Sequence, residues 1–598
     1  MSCCETFCAK LCRRKTPPKD PLETPLKRCL NIFDLCLLGI GDMIGAGVFI
    51  LSGFIAREKA GPGIVLCYLF AGAAMLLSSL CYAEFGARMP KAGSAYTYTY
   101  LTIGEIYGFV IGWNVILERM LSGAAVARGW SSMFDAMFDD VIRNVTLQFM
   151  GPIDVRGLSS YPDFVAFAAT IVAVIIVGVG VLCLNNANML FTVSNLLALC
   201  IIIALGFWKA DWDNWSSEAL GGFLPYGWQG VVAGTATLFY TFVGFESITN
   251  AAEEASDPAT QIPIATIAAI LFTTIIYMCS GAALTLMVPF NAIDVAMPFP
   301  AAFRDLGLHW VVYVVAIGAL FGITASMLTD LFALPRNVYA MASDGLFFRC
   351  FAHVHPQTQT PLVATVTFGL LTAVLALLID YQELVELLSV GTLTNFTTVA
   401  ICVIVNRYRP PDHDGRRNGE RSLDESENDH RRGPILKGDF ADNRLLASIH
   451  GSIVIYASLA AIIICTVVLA LLLKYNTFYD IYGTDKIWVM VVLFLSMLGI
   501  FTALFYISAY EEVNEPKTFS VPLLPHTPAV SIIINVALLV QLPQVAWIRY
   551  GIWLVLGLII YLLYGVHHSY ENKPLAEESH SLVSYSALES NDELCNEP

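Results

Sequence analysis

Apolar residues recur along this chain in blocks of about twenty, and that spacing limits the fold more than any other feature. A block of that length, wound as a helix, crosses a hydrocarbon core of about 30 Å. Backbone N–H and C=O groups find no water inside lipid, so only a helix or a closed barrel satisfies them there. A barrel needs short alternating segments, whereas these blocks are continuous. The chain is 56% hydrophobic and only 14% charged, too few charges to clothe a soluble protein of 598 residues. The expected fold class is all-α integral membrane.

Windowed hydropathy places about fourteen transmembrane helices. Their centres lie near Gly45, Ala74, Asn114, Val174, Ala198, Thr241, Ile275, Gly322, Leu370, Leu393, Ala461, Phe494, Asn535 and Leu558. An even count puts both termini on one side. The basic residues Lys10, Arg13, Arg14, Lys15, Lys19, Lys27 and Arg28 make that side the cytoplasm. The chain divides into an N-terminal tail (1–31), a ten-helix core (32–406), a linker (407–446), four further helices (447–566) and a C-terminal tail (567–598). The stretch from Arg407 to Arg444 is rich in Arg, Asp, Asn and Gly and reads as a disordered cytoplasmic linker. The first apolar block starts near Ile32 at full length, unlike a cleaved signal peptide.

The loops carry weaker signals. Asn144-Val145-Thr146 and Asn214-Trp215-Ser216 are glycosylation sequons in loops expected outside, whereas Asn395-Phe396-Thr397 lies inside an apolar block and is discounted. The expected outside loops contain no cysteine, so the fifteen cysteines are not a secreted disulfide framework. Cys3, Cys4, Cys8 and Cys12 sit beside basic residues, where palmitoylation and plain reduced thiols are both open. Tyr585-Ser586-Ala587-Leu588 matches the pattern that sorting adaptors read. The net charge of −16 sits in loops and tails, so the expected surroundings are the lipid bilayer, with no nucleic acid partner.

The chemistry concentrates in two helices. The first contains Gly39, Gly41, Gly45 and Gly47, and each glycine in a helix interior costs about 1 kcal/mol relative to Ala. Such a run allows close helix packing or breaks the helix, exposing N–H groups and the positive end of a half-helix dipole to a carboxylate. The sixth helix carries Phe239-Tyr240-Thr241-Phe242-Val243-Gly244-Phe245-Glu246 within an apolar block. Transporters built from inverted repeats place interrupted helices at matching positions of the two halves. Helices one and six match if each repeat has five helices. Free carbonyls near Phe242–Gly244 would accept from an α-ammonium group.

Longer motifs carry a family resemblance. They are Cys81-Tyr82-Ala83-Glu84-Phe85-Gly86-Ala87-Arg88, Pro90-Lys91-Ala92-Gly93-Ser94-Ala95-Tyr96, Gly104-Glu105, Gly112-Trp113-Asn114, Phe242-Val243-Gly244-Phe245, Glu253-Glu254, Leu284-Thr285-Leu286-Met287-Val288-Pro289, Pro335-Arg336 and Tyr339-Ala340-Met341-Ala342. In these the chain resembles the cationic amino acid transporter family of the amino acid–polyamine–organocation superfamily, most closely its divergent branch. The resemblance implies a LeuT-type fold of two inverted five-helix repeats plus four C-terminal helices. It also implies sodium-independent movement of arginine, lysine or ornithine, generally across the plasma membrane, with an endosomal or lysosomal membrane as the alternative.

Carried over by position, Gly45, Ala46 and Gly47 would hold the substrate carboxylate, and Phe242, Val243 and Gly244 would face its amino group. Glu105 matches the family's glutamate at the cytoplasmic start of helix three, where it would pair with a cation, Arg88 or Lys91. Glu118, deeper on that helix, would face a side-chain cation, or pair locally with Arg119 or another intramembrane partner. Three positions depart from the family. Met189 stands where cation-transporting members have a lysine, which argues against proton coupling there. Asp330 replaces a small residue and would pair with Arg336 or join a cytoplasmic gate. Asp42 adds a negative charge near the pathway. The loop 138–163 has no cysteine, so no disulfide-linked heavy chain is expected.

The leading expectation is a secondary carrier working by alternating access, with no enzyme activity and no cofactor. There is no nucleotide-binding glycine-lysine loop and no Cys/His set at metal-ligand spacing. The alternatives are a non-transporting amino acid sensor or scaffold and a carrier of neutral amino acids.

Overall fold

The computed structural model describes residues 28–409 and 451–570, together with 11, 13–15 and 436. Positions 29, 46, 92, 139–140, 154–156, 180, 218–220, 296, 356–357, 359, 476–486 and 517 fall outside the described residues. So do the N-terminal cysteines, most of the expected linker and the Tyr585–Leu588 pattern.

The described chain is helical, its only bridges of strand type being Leu30 with Ala255 and Leu436 with Tyr510. The main helices of the core are α1 (Ile32–Met43), α2 (Ile64–Arg88), α3 (Ser94–Thr102), α4 (Glu105–Ala136), α5 (Phe164–Val179), α6 (Val181–Trp208), α7 (Gly227–Leu238), α8 (Glu246–Asn250), α9 (Pro258–Met287), α10 (His309–Ser343), α11 (Leu362–Leu378) and α12 (Tyr381–Arg407). After them come α13 (Gly451–Tyr475), α14 (Ile487–Ser508), α15 (His526–Gln541) and α16 (Gln544–Ile560). Among the described residues, ten helical stretches are long and apolar enough to cross a membrane, and three shorter apolar helices stand beside them. Each expected centre falls on a helix or on an interruption in one, while the number that cross stays a proposal. Outward-facing Phe494, Phe501, Ile552 and Leu563 are more than half exposed, an apolar surface suited to lipid.

Packing follows the order of the chain. With the interrupted helices taken as first and sixth, the second packs on the seventh (α2 on α9), the third on the eighth (α4 on α10) and the fourth on the ninth (α5 on α11). Partners five apart are what two facing repeats produce. The C-terminal helices α15 and α16 lean on α12, and α16 also reaches α4. There Trp113 and Trp553 stack at 4.2 Å, and each indole N–H donates to the other's carbonyl.

Arg407 does not begin a disordered linker. It closes α12, fully buried, with its guanidinium on Glu84 at 2.8 Å and Glu512 at 3.3 Å. The Glu84 carboxylate also accepts from the Val521 N–H, so one ion pair joins α2, α12 and the approach to α15.

Both ends of the described chain meet on one face. The Lys15 ammonium sits 2.6 Å from Asp344, whose carbonyl accepts from Tyr570 N–H. Asn144 lies beyond the far end of α4 and is exposed, and Asn214 lies beyond the far end of α6. The Asn214 amide is already committed to the Leu286 carbonyl at 2.8 Å. Asn395 is buried in mid-helix, as its discounted sequon anticipates.

Candidate substrate site

Both expected interruptions are present. Helix α1 stops at Met43, Ile44 leaves helical geometry at φ −84°, ψ 74°, and helix resumes at Gly47. Helix α7 tightens into a 3-10 turn over Phe239–Phe242, Val243 is extended, and α8 begins after Gly244 and Phe245. Each break strands carbonyls that lipid cannot satisfy. Side chains from neighbouring helices take them up. The Tyr277 hydroxyl shares its one hydrogen between the carbonyls of Met43 at 2.7 Å and Thr241 at 3.0 Å, bracing both breaks at once. Ser326 donates to the carbonyls of Gly41 and Asp42, and the Asn195 amide donates to that of Ile44 at 2.7 Å.

The glycines serve packing and interruption together. Gly39 and Gly41 let α1 close on Ile248 and Thr192, while Gly45 and Gly47 border the break. Gly244 is required twice over. Its φ of +128° disfavours any side chain, and a Cβ there would lie 2.9 Å from the carbonyl carbon of Asp42. The two breaks therefore touch backbone to backbone.

Gly45, Gly47, Val243 and Gly244 line one small cavity with Asp42, Arg119, Ser122, Tyr240, Ser326 and Asp330. Ala46 lies outside the described residues, and the Phe242 ring packs on Tyr277 at 5.1 Å and is absent from the lining. The open space is about 20 Å³, room for one water and far short of an amino acid.

Charge dominates this cavity. The Arg119 guanidinium lies 2.6 Å from Glu246, 2.9 Å from Asp330 and 3.5 Å from Asp42, and all four side chains are buried. Ser122 adds a 2.5 Å hydrogen bond to Asp330. Three carboxylates thus face one guanidinium. Among the described residues neither Arg119 Nε nor Asp42 Oδ2 has a hydrogen-bond partner.

Several expectations need correction here. Asp330 does not pair with Arg336, which reaches Glu254 at 3.1 Å instead, because Asp330 lies deeper on α10 and faces α4. Glu118 neither lines the cavity nor pairs with Arg119; it takes other intramembrane partners, the remaining expectation for it. It points toward α12 and accepts from Thr392 at 2.8 Å and from the Asn395 amide. Met189 is 48% exposed, whereas the polar Asn188, Thr192 and Asn195 of the same helix are buried. Glu105 meets neither Arg88 nor Lys91. Fully buried, it accepts from Tyr100, Tyr561 and Ser569 at 3.0, 3.0 and 2.8 Å and sits 3.6 Å from Arg13.

Sequence reasoning missed Arg119 and Glu246 as site residues. The signal was there, since ionisable residues at membrane depth are functional candidates by default. Adjacent Glu118 drew the attention that Arg119 merited.

Residues 30–420 match the family model described as amino acid permease, and residues 519–569 match one described as the C-terminus of AA_permease. The chain belongs to the amino acid permease family. This permease is 40% identical to cationic amino acid transporter 4 of Mus musculus, over 96% of this chain and 92% of that protein. It is 38% identical to the Homo sapiens protein of the same name, over 95% and 92%. It is 33% identical to cationic amino acid transporter 4, vacuolar, of Arabidopsis thaliana, over 92% and 93%. A crystal structure of MhsT in complex with L-phenylalanine covers 63% of this chain and 90% of its own at 16% identity, with a TM-score of 0.49. The permease is thus a multi-pass membrane carrier of amino acids and not an enzyme.

Proposed function

We propose that this permease carries cationic amino acids (arginine, lysine or ornithine) by sodium-independent alternating access, binding them between the two helix breaks. The observation that carries the reading is the charge count. Asp42, Glu246 and Asp330 place three formal negative charges within ion-pair distance of the one guanidinium of Arg119. Uncompensated charge inside a membrane is costly, so a site this rich in carboxylates suits a substrate whose side chain is positive and not a neutral one. The relatives named cationic amino acid transporters agree.

In this reading N–H groups at Gly45, Ala46 and Gly47 receive the substrate carboxylate, and carbonyls at Phe242, Val243 and Gly244 receive its amino group. Glu118 acts indirectly, holding α4 to α12. Glu105 ties both terminal segments to the inner face, which is cytoplasmic, and Asn144 carries a glycan on the outer one. The plasma membrane is the proposed location, although relatives carry vacuolar and mitochondrial in their names. A tail-bound sorting adaptor would direct the protein there, and no disulfide-linked heavy chain takes part.

The test is uptake of labelled arginine into proteoliposomes without sodium, with lysine and leucine as competitors. Saturable uptake blocked by lysine supports the proposal. The filled cavity favours one second reading, a sensor that binds without transporting, which equilibrium binding with no flux would support.

A further inference from the structure

The convergence on Arg119 exceeds what a structural ion pair needs. One carboxylate balances a guanidinium, yet here three arrive from three separate helices: Asp42 at the end of α1, Glu246 at the start of α8 and Asp330 within α10. The two nearest hold it at 2.6 and 2.9 Å, while the Asp42 Oδ2 stands off at 3.5 Å from Arg119 Nη1, an ion pair without a hydrogen bond among the described residues. Arg119 Nε is likewise buried without a partner. The guanidinium therefore sits in a seat that it only partly satisfies. Asp42, Asp330 and Arg119 line the same cavity as Gly45, Gly47, Val243 and Gly244, and its open space of about 20 Å³ admits no more than a water beside the guanidinium.

We propose that Asp42, Glu246 and Asp330 form a seat for a guanidinium or ammonium group, that Arg119 occupies it as a tethered occupant, and that a substrate's cationic group enters as Arg119 leaves. This deepens the proposed carrier reading and rests on it only for the identity of the visiting cation. Exchanging one cation for another keeps the charge at the seat constant. Moving Arg119 out with nothing to replace it would strand three buried carboxylates, a strongly unfavourable state. The occupant thus holds the site closed until a cation arrives and disfavours amino acids that bring none in their side chain. An arginine suits the task because its planar fork engages several carboxylates at once.

The experiment is chemical rescue. Full-length Arg119→Ala is purified in detergent and its thermal unfolding followed with millimolar guanidinium chloride, against choline chloride at the same ionic strength. Guanidinium is expected to raise the Tm of Arg119→Ala by several degrees, with choline inert and wild type unresponsive because its seat is filled. Equal responses to guanidinium and choline, or an equal rise in wild type, overturn the proposal. Should Arg119→Ala fail to fold, the Arg119→Ala/Asp330→Asn variant, with one charge fewer, takes the same test, and its failure to respond also overturns it. The result is separate from the transport reading. Rescue in a protein that moves no arginine keeps the seat and rejects the carrier, whereas arginine uptake without rescue does the reverse.

Discussion

Arg119 donates to Glu246 across 2.6 Å and so ties the middle of α4 to the short helix that follows the second break. The contact crosses from an uninterrupted helix to an interrupted one, the boundary that alternating access has to shear. Removing the guanidinium leaves buried carboxylates unpaired, and breaking a buried pair from one side costs about 3–5 kcal/mol. Arg119→Ala is expected to lower stability by that order in thermal unfolding, and Arg119→Lys, which keeps the charge, by less. Equal losses in the two variants would place the effect in packing rather than charge.

Tyr277 braces both breaks through a single hydroxyl. Tyr277→Phe retains the ring and its packing on Phe242 and Tyr68 but leaves two buried carbonyls short of a donor. The cost of a buried polar group left unsatisfied is about 1–3 kcal/mol. The variant should reach the membrane in normal amount and carry amino acid more slowly. Uptake normalised to surface protein reads this, and an unchanged rate would show that the brace is dispensable.

Gly244→Ala combines an unfavourable φ with a clash against the backbone of Asp42. Strain of this kind costs about 1–3 kcal/mol, and here relief comes only by parting the two breaks. Transport is expected to fall by more than tenfold while Gly551→Ala, which meets nothing within 4 Å, is silent. Similar activity in both variants would mean that the breaks need not touch.

Glu105 gathers Arg13 from one end of the chain and Ser569 from the other. Glu105→Ala should release both segments together, seen as faster cleavage by trypsin at Arg13–Lys15 in the folded protein. Unchanged protection would assign the docking to Asp344 and Lys15 alone.

The sequons test the orientation of the whole chain. Asn144 is exposed on the face away from both ends, whereas the Asn214 amide is held by Leu286. Asn144→Gln should abolish most of the shift in gel mobility that deglycosylation produces. A full shift in that variant would move the glycan to Asn214.

The fold was legible because lipid leaves few choices. Blocks long enough to span had to be helices, and the glycine run with Gly244 marked both breaks before any coordinates. The site was legible only in its backbone. Which acid faces which cation depends on helix rotation, and the side chains of neighbouring Glu118 and Arg119 point about 100° apart around α4. That difference sends Glu118 to Thr392 and Arg119 to the cavity. The same rotation separates neighbours on α6, where Asn188 is buried and Met189 is exposed. Glu105 does meet a cation, Arg13, but neither of the two near it in sequence. Tyr561 and Ser569 lie more than 450 residues away and Arg13 near the opposite end of the chain, and no local pattern announces them.

The central claim is that negative charge at the two breaks selects cationic amino acids. Its most direct test is the ratio of arginine to leucine uptake in proteoliposomes, compared between wild type and Asp42→Asn. The account predicts a strong preference for arginine in wild type that falls by about tenfold in the variant, equivalent to about 1.4 kcal/mol of discrimination. A preference for leucine in wild type, or an arginine preference untouched by the loss of this charge, would contradict it.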